Sequence, residues 1–377
     1  MKPFELFCAC LPGIEYMLAA EMTNLGLGTV TPEPGGVTFA GHKNAIYRAN
    51  LELGLCSHVL LRLGRFHARG LPHLLRKTAT LPWENFLKPG EPVAIRVMCR
   101  KSKLYHSGAV EQRVRLGIFE RLHDMPPMPK KDGQATVHVR IVDDECTLSY
   151  DTTGTPLWRR GWKEDVRKAP LREDLARALI LASGWDRKSP LIDPLTGSGT
   201  VVIEAATMAR QLAPGRKRSF LFETSPLLDT KRWQQVRDAA TERELTTASP
   251  IFGSDRDAGA IKAAGANAER AGVAGDIEFA CTSLSESPGL CGTPAVGELG
   301  FVVTNPPYGH RIPDKDGLIS LYQKLGHMVG ELPGRWTLAL LSTNRRLAHK
   351  VGMPMQREFL TDHGGLKVNA FRYAPTA

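Results

Sequence analysis

Hydrophobic residues recur with two different spacings in the first part of the chain, and the two spacings alternate. Residues 4–12 and 92–100 are runs of strand length, whereas Ile14, Met17 and Met22 lie on one stripe with helical spacing. Short apolar runs are typical of strands and 3.6-residue stripes of helices. The pattern predicts a small α+β module with strands at 4–12, 37–41, 60–68, 92–100 and a hairpin at 135–151, and helices at 13–26, 42–53 and 106–122.

From residue 171 onward, each short apolar run is followed by a helical stripe. This order begins with the runs that end at Asp193 and Asp255 and continues with the run that ends at Thr304. Strands joined by crossover helices indicate a mainly parallel sheet that is covered on both faces, an α/β fold. Residues 153–170 are rich in Trp, Pro and basic residues and indicate a linker, and 225–249 indicate a polar helical insertion.

Composition and charge indicate the kind of molecule that the protein binds. The length of 377 residues, with 42% hydrophobic and 23% charged residues, is that of a folded protein of two or three domains. The net charge of +10 is uneven, because residues 1–168 hold 24 Lys and Arg against 17 Asp and Glu. A basic N-terminal half favours a polyanionic partner such as nucleic acid.

Membrane and metal classes are not favoured. No apolar run reaches the length of a membrane span, and Glu5 interrupts any signal-like start, so we expect a cytoplasmic protein with no membrane partner. The seven cysteines are odd in number, scattered and without a C-x-x-C pair. Reduced thiols and no metal site are therefore expected. The sequence leaves the oligomeric state open.

Basic residues cluster where the strand at 92–100 meets the helix at 106–122. They form either a solvated face or a set of phosphate contacts, which the helix N-terminus would extend with backbone donors. The linker adds further basic residues, and Arg311 either contacts a phosphate or pairs with Asp314 or Asp316. The candidate RNA contacts are Arg100, Lys101, Lys103, His106, Arg113, Arg115, Lys163, Arg167, Lys168 and Arg311.

The segment DPLTGSGT, residues 193–200, follows the first strand of the second half and begins a helix. It lacks the lysine of a P-loop, and Val202 replaces the third glycine of a dinucleotide fingerprint. Asp193 favours a cationic ligand instead, and Asp255 is placed to accept both hydroxyls of a ribose. Taken singly, these features are also those of an ordinary turn and a helix cap. Together they predict S-adenosylmethionine as the cofactor.

The segment NPPYG follows the fourth strand of this half, residues 305–309. The prolines end the strand, since they cannot donate to a sheet ladder. They also fix a platform in which Asn305 Oδ1 and the Pro306 carbonyl accept both hydrogens of a planar exocyclic amine, with little entropy lost because Pro306 and Pro307 are rigid. Tyr308 is placed to stack on a base swung out of its helix.

The motifs DPLTGSGT, GSDRD and NPPYG, in this order, resemble those of the class I amino-methyltransferases. The segments GIEYMLAAEMTNLG, GGVTFAG, LSYDTTG and RRGWKEDVRKAPLRE resemble the THUMP-domain RNA guanine-N2 methyltransferases. Within them, the chain is most similar to the branch that modifies bacterial 23S ribosomal RNA, without the second methyltransferase that is fused there. The resemblance extends over nearly the whole chain.

The resemblance implies a Rossmann-like class I methyltransferase domain preceded by an α+β ferredoxin-like and THUMP module for RNA. The implied domains are 1–60 (ferredoxin-like), 61–152 (THUMP), 153–170 (linker) and 171–377 (methyltransferase). Asn305, Pro306, Pro307 and Tyr308 would hold the target amine. The implied S-adenosylmethionine contacts are Asp193, Pro194, Thr196, Gly197, Ser198, Gly199, Thr200, Asp255, Ser283 and Asn305.

Two departures from the family pattern affect the cofactor site. Ser283 stands where the family usually has an acid for the adenine amine, and Thr196 where it often has Cys or Phe. Three alternatives to a 23S RNA enzyme remain open. They are a transfer RNA guanine-N2 methyltransferase, a DNA adenine-N6 methyltransferase, which shares the NPPY motif, and an inactive RNA-binding homologue. The basic first half favours RNA over DNA.

Overall fold

The computed structural model describes residues 2–128, 134–164, 171–246, 249–291, 299–307 and 315–375. The chain divides into two compact units. The first contains Met1–Cys10, Leu18–Leu157 and Arg218–Asp238. The second contains Leu11–Met17, Trp158–Lys217 and Ala239–Ala377.

Seven strands form the sheet of the first unit: β1 (Phe4–Cys10), β2 (Val30–Glu33), β3 (Gly36–Gly41), β4 (Cys56–His67), β5 (Val93–Arg100), β6 (Ala135–Val142) and β7 (Glu145–Asp151). Their order is β2-β3-β1-β4-β7-β6-β5. All neighbours are antiparallel except β5 and β6. The predicted border between residues 60 and 61 lies within β4, so one continuous sheet crosses it.

Side chains of this sheet alternate between a buried apolar face and a polar face. Leu6, Val59, Leu61 and Val139 are buried on the apolar face, and helices contact β4 and β5. The predicted hairpin between β6 and β7 is confirmed, with Asp143 and Asp144 at positive φ as a mirror-image turn requires. The helices in this part are α1 (Glu15–Asn24), α2 (Lys43–Glu52), α3 (Leu71–Ala79) and α4 (Ser107–Leu122).

The second sheet consists of β8 (Leu191–Asp193), β9 (Ile251–Asp255), β10 (Glu278–Cys281), β11 (Leu299–Thr304), β12 (Arg335–Ser342), β13 (Gln356–His363) and β14 (Leu366–Tyr373). Its order is β10-β9-β8-β11-β12-β14-β13. The first five strands in this order are parallel, and β14 pairs antiparallel with β12 and β13. The prediction of a mainly parallel sheet is therefore confirmed.

Six helices complete the described chain: α5 (Glu173–Ser183), α6 (Thr200–Ala209), α7 (Thr230–Thr241), α8 (Ala258–Ala271), α9 (Lys315–Gly330) and α10 (Arg345–Ala348). The core of the second sheet is apolar and includes Ile192, Val302, Leu338 and Leu340. Because both faces of a parallel sheet are covered, its strands are apolar on both sides.

Three elements were missed by sequence patterning. Strand β2 contains Pro32, which indicated a turn, but an edge strand tolerates proline. Helix α3 carries proline in its first turn, where the missing N–H has no helical partner in any case. Helix α10 is a single turn. Helix α5 begins at Glu173 and ends before Gly184, which caps it in the left-handed conformation.

No helix in the described parts of the chain is long and apolar enough to cross a membrane. No cluster of three or more His, Cys, Asp or Glu side chains among those residues has an arrangement that would hold a metal ion.

Candidate functional site

The fold brings three predicted site residues to one edge of the second sheet. Asp193 ends β8, Asp255 ends β9 and Asn305 directly follows β11. Strand β8 pairs in parallel with both β9 and β11, so the carboxyl ends of the three strands are adjacent. Parallel sheets bind their ligands at this edge.

Asp193 is buried, and donors from two neighbouring segments hold its carboxylate. Thr304 Oγ1 donates to Asp193 Oδ1 at 2.6 Å, and the backbone N of Leu195 donates to the same oxygen at 3.2 Å. Burial, helped by the nearby charge of Asp255, raises the pKa of Asp193 to about 7. A cation beside this carboxyl group would favour its ionised form. Sequence reasoning did not single out Thr304.

The two glycines of the turn differ in what surrounds them. Both have positive φ, +53° at Gly197 and +84° at Gly199, which glycine adopts without strain. A Cβ on Gly199 would lie 3.0 Å from the Cβ of Ala264 on α8. A Cβ on Gly197 would meet nothing within 4 Å. The turn is thus closed at Gly199 and open at Gly197, where a ligand has room to approach.

Asp255 holds the turn from the neighbouring strand. Its Oδ2 accepts from the backbone N of Gly197 at 3.0 Å, and its Oδ1 accepts from the backbone N of Asp257 at 3.0 Å. A carboxylate has about four acceptor positions, so two remain for the hydroxyls of a ribose. The predicted sugar contact is therefore compatible with the bonds that Asp255 already makes.

Four other residues of the turn are buried, namely Pro194, Thr196, Ser198 and Thr200, and Leu195 is half-buried. The hydroxyl of Thr196 has no hydrogen-bond partner among the described residues. The Ser198 carbonyl accepts from Asn267 Nδ2 of α8 at 3.1 Å. Asn267 is a buried polar residue that no sequence pattern singled out, since it lies within a helix.

Lys163 supports the same turn, which favours a positioning role over the RNA contact predicted for it. Its Nζ donates to Thr200 Oγ1 at 2.8 Å and to the Leu171 carbonyl. Burial lowers the pKa of Lys163, and burial raises the pKa of nearby Glu173 to about 7. Glu173 Oε2 has no hydrogen-bond partner within the described part of the chain.

Asn305 presents an acceptor whose hydrogen-bonding capacity is unused. Its Oδ1 is buried and has no hydrogen-bond partner in the described ranges, although a buried polar atom normally has one. Pro306 is buried and Pro307 is exposed. Four other predicted contacts lie outside the described residues, namely Tyr308, Arg167, Lys168 and Arg311.

Ser283 lies just after β10 and is exposed. Its hydroxyl donates to Glu286 Oε2 at 3.1 Å. The Ser285 hydroxyl lies 3.2 Å from the Ser283 oxygen, so one lone pair of that oxygen remains for a further donor. Donation to a carboxylate strengthens the oxygen as an acceptor. Glu286 thus places an acid three residues after the position where the family pattern has one.

The predicted RNA contacts of the first unit separate into exposed and internally bonded side chains. Arg100, Lys101 and Lys103 are exposed. His106 caps α4 by accepting from the backbone N of Ala109 at 3.2 Å. The remaining two are half-buried: Arg113, and Arg115, which donates to the carbonyls of Pro126 and Val93 and pairs with Glu111.

Three family profiles match the chain in succession. They are the RlmL ferredoxin-like domain at residues 5–60, the THUMP domain at 68–151 and the RMKL-like methyltransferase domain at 160–368. Together with the sheet order they confirm the predicted fold class.

Among curated proteins, a putative RNA methyltransferase (slr0064) of Synechocystis sp. is 31% identical over 97% of this chain and 96% of its own length. Ribosomal RNA large subunit methyltransferase K/L of Syntrophotalea carbinolica is 32% identical over 98% of this chain and 53% of its own length. The chain thus spans about half the length of that second relative.

Solved structures that resemble the chain over its whole length include the two that follow. A possible methylase from Clostridium difficile 630 has a TM-score of 0.90 and 34% identity, covering 100% of this chain and 99% of its own. SMU.472, a putative methyltransferase complexed with SAH, has a TM-score of 0.89 and 28% identity, with the same coverage.

Proposed function

This chain belongs to the RMKL-like methyltransferase family, and on that premise we propose that it transfers a methyl group from S-adenosylmethionine to the exocyclic N2 amine of a guanosine in 23S ribosomal RNA. The family membership itself supports a methyltransferase whose substrate is RNA. That the methyl acceptor is the guanine N2 amine, and that the RNA is 23S ribosomal RNA, are proposed in addition to the family assignment.

The Oδ1 of Asn305, a buried acceptor without a donor among the described residues, carries the proposal. A buried acceptor without a donor costs about 1–3 kcal/mol, so a chain that keeps one has a use for it. An exocyclic amine supplies two hydrogens, one for Asn305 Oδ1 and one for the Pro306 carbonyl. With both hydrogens held, the nitrogen lone pair points out of the base plane toward a methyl donor.

The residues at the ends of β8 and β9 fit the cofactor. A cation beside Asp193 would stabilise its ionised carboxylate. Asp255 keeps two acceptor positions for ribose hydroxyls, and the space beside Gly197 is open to a ligand. When bound, S-adenosylmethionine supplies a methyl group on a positive sulfonium, which leaves as a neutral thioether. SAH, the product of such a transfer, is bound in the related SMU.472 structure. Transfer moves the positive charge from sulfur to the nitrogen, which is then acidic enough to lose a proton to water, so no strong base is needed beside it.

The choice of 23S RNA rests on the names of the longer relatives and on the basic first half. To test it, labelled S-adenosylmethionine is incubated with separate pools of 23S RNA, transfer RNA and duplex DNA. The products are digested to nucleosides and identified. We expect N2-methylguanosine from 23S RNA only, lost in Asn305→Ala and kept in Asn24→Ala, an exposed asparagine at the end of α1.

Each other result changes a stated part of the proposal. N2-methylguanosine from transfer RNA keeps the chemistry and replaces the substrate. N6-methyladenine in DNA contradicts both the base and the polymer. Absence of transfer to all three pools contradicts the enzyme function, and binding of S-adenosylmethionine measured in parallel then separates a failed cofactor site from a missing RNA partner.

A further inference from the structure

The polar face of the first sheet carries arginines on several strands, and these arginines fall into two classes. On β4, Arg62 and Arg65 are paired with acids. Arg62 bonds Glu5 at 2.8 Å and Glu33 at 2.5 Å. Arg65 lies 3.3 Å from Glu145. In this part of the sheet the positive charges are largely neutralised.

On the outer strands the arginines have no acidic partner among the described residues. Arg96 and Arg100 of β5 and Arg140 of β6 are all exposed. Within the described ranges, none of the three lies within 4.0 Å of a carboxylate oxygen, unlike Arg65. Three such charges on neighbouring strands attract phosphates, because bound phosphate neutralises them and releases salt ions.

The register places these arginines around an exposed apolar side chain. Arg96, Met98 and Arg100 lie at alternate positions of β5 and therefore on one face. Met98 is 49% exposed and stands directly opposite Arg140 of β6. The thioether of methionine packs well against aromatic rings, which include nucleobases.

The segment after β5 extends this arrangement. Lys101 and Lys103 are exposed there, and Tyr105 is 80% exposed. Two exposed cations and an exposed aromatic ring within five residues have the composition of a single-strand binding site, in which cations follow the backbone and rings stack on bases. Paired RNA hides its bases in the helix, so stacking residues have no partner there.

We propose that Arg96, Met98, Arg100, Arg140, Lys101, Lys103 and Tyr105, the outer-strand surface, bind an unpaired segment of the RNA substrate. The phosphates contact the arginines and lysines, and the bases pack on Met98 and Tyr105. The proposal rests on the proposed function only in taking RNA as the substrate. It adds Arg96, Met98, Tyr105 and Arg140 to the contacts predicted from the sequence.

The charge part is tested by RNA binding in the presence of SAH, where no methyl transfer occurs. The probe is a fluorescein-labelled RNA single strand of about 16 nucleotides, followed by fluorescence anisotropy. We expect Arg96→Ala/Arg140→Ala to weaken binding about tenfold. The slope of log affinity against log salt should decrease in magnitude by about 1.4, because each of two lost phosphate contacts on a single strand contributes about 0.7. The matched control is Arg65→Ala/Arg69→Ala, two exposed arginines that pair with Glu145 and Asp144.

The control should stay within about twofold of the unsubstituted protein, since each exposed ion pair is worth little. Equal losses in the two double variants would overturn the distinction between paired and unpaired arginines. Unchanged binding in Arg96→Ala/Arg140→Ala would overturn the site itself. Folding is checked by SAH affinity and by the thermal midpoint, which should not change in either variant.

The unpaired character of the RNA is tested with the aromatic side chain. Tyr105→Ala should weaken single-strand binding by about fivefold or more, the loss of one stacked base. Tyr16→Ala is the matched control, because Tyr16 is 82% exposed on α1. A fully paired RNA of the same length should bind the unsubstituted protein more weakly than the single strand. Equal binding of paired and unpaired RNA, or no effect of Tyr105→Ala, would overturn the stacking.

These results are separable from a failure of the proposed function. If no RNA pool accepts a methyl group but the single strand binds and its binding depends on Arg96 and Arg140, the RNA-binding surface is supported and the proposed methyl transfer is rejected. If N2-methylguanosine forms and the outer-strand variants bind RNA normally, the methyl transfer is supported and the RNA-binding surface is rejected.

Discussion

The edge of the second sheet and the outer strands of the first sheet both present polar groups, but they do so in opposite ways. At the sheet edge, Asp193 and Asn305 Oδ1 are buried; the pKa of Asp193 is raised, and Asn305 Oδ1 accepts no hydrogen bond from a described residue. On the outer-strand surface the arginines are exposed and have no acidic partner in the part of the chain that the structure describes. Buried polar atoms are costly and act through exact position, whereas exposed charges act additively and are screened by salt.

The two kinds of polar group suit the two regions to different tasks. A site that acts on one atom of one base needs a few fixed groups in a water-poor environment. A surface that holds a long polyanion needs several charges, each of modest effect. Substitutions at the sheet edge should therefore change the chemical step or the cofactor, and substitutions on the outer strands should change RNA affinity.

The largest expected effect is that of Asn305→Ala. Loss of the acceptor leaves the target amine unoriented, and a misplaced nucleophile typically costs about a hundredfold in rate. We expect the single-turnover rate of methyl transfer to fall by about that factor. SAH affinity should stay within about twofold of that of the unsubstituted protein, since the substitution removes the contact with the target amine and leaves the cofactor contacts in place. An SAH affinity that falls in step with the rate would place Asn305 on the cofactor instead.

The two turn glycines should separate folding from binding. Gly199→Ala introduces a Cβ 3.0 Å from Ala264 in a left-handed conformation, and we expect a loss of about 2–3 kcal/mol in the free energy of unfolding. Gly197→Ala meets open space and should cost only about 1 kcal/mol. It should instead weaken S-adenosylmethionine binding, because the new methyl group occupies the ligand's space. Urea unfolding and calorimetry check both, and an equal loss of stability would contradict the packing difference.

The affinity for S-adenosylmethionine should depend on pH through Asp193. Its pKa of about 7 is raised by burial above the ordinary value of 3.8, so the free site is largely neutral below pH 7. A cationic ligand favours the carboxylate, and binding therefore releases a proton. Affinity should weaken by up to about tenfold per pH unit below 7. Titration calorimetry in two buffers measures the release, which should vanish in Asp193→Asn and persist in Glu173→Gln.

The stability of the ligand-free protein should depend on pH in the opposite sense. Asp193 and Glu173 both hold their protons more tightly in the folded state, with pKa values of about 7. Their contribution to stability is present below pH 4 and is lost as pH rises through 7. Between pH 5 and 7 Asp193→Asn and Glu173→Gln should each reduce the slope of unfolding free energy against pH. A slope that neither substitution changes would contradict the raised pKa values.

The smallest effect is expected at Ser283. Its hydroxyl donates to Glu286, and Glu286→Gln replaces that charged acceptor by a neutral one. S-adenosylmethionine binding should therefore weaken about fivefold, the difference between a hydrogen bond to a charged group and one between neutral groups. Glu278→Gln is the control, because Glu278 is exposed on the neighbouring strand β10. Unchanged affinity in Glu286→Gln would mean that the adenine lies elsewhere.

The sequence was sufficient for the order of strands and helices around the sheet edge, because apolar runs and glycine turns are local signals. It correctly indicated that Asp193, Asp255 and Asn305 follow strands, and the parallel order then made them neighbours. It did not indicate Thr304 or Asn267, whose partners lie 111 and 69 residues away. Arg115 and Lys163 looked like surface cations, but only the fold shows that backbone carbonyls occupy them.

The outer-strand surface was only partly predictable for a related reason. A charge run in sequence does not reveal which cations have acids beside them. Arg65 and Arg96 have similar sequence surroundings, and only the strand pairing distinguishes them. Pairing with β7 places Glu145 beside Arg65, whereas no carboxylate of the described residues lies beside Arg96.

The most direct test of the comparison combines two quantities on the same RNA. Single-turnover methyl transfer at saturating 23S RNA and the RNA dissociation constant are measured for Asn305→Ala and for Arg96→Ala/Arg140→Ala. We predict about a hundredfold loss of rate with unchanged RNA affinity in the first, and about tenfold weaker RNA binding with an unchanged saturated rate in the second. Weaker RNA binding in Asn305→Ala to the same extent as its rate, or a lower saturated rate in the arginine variant, would contradict the account.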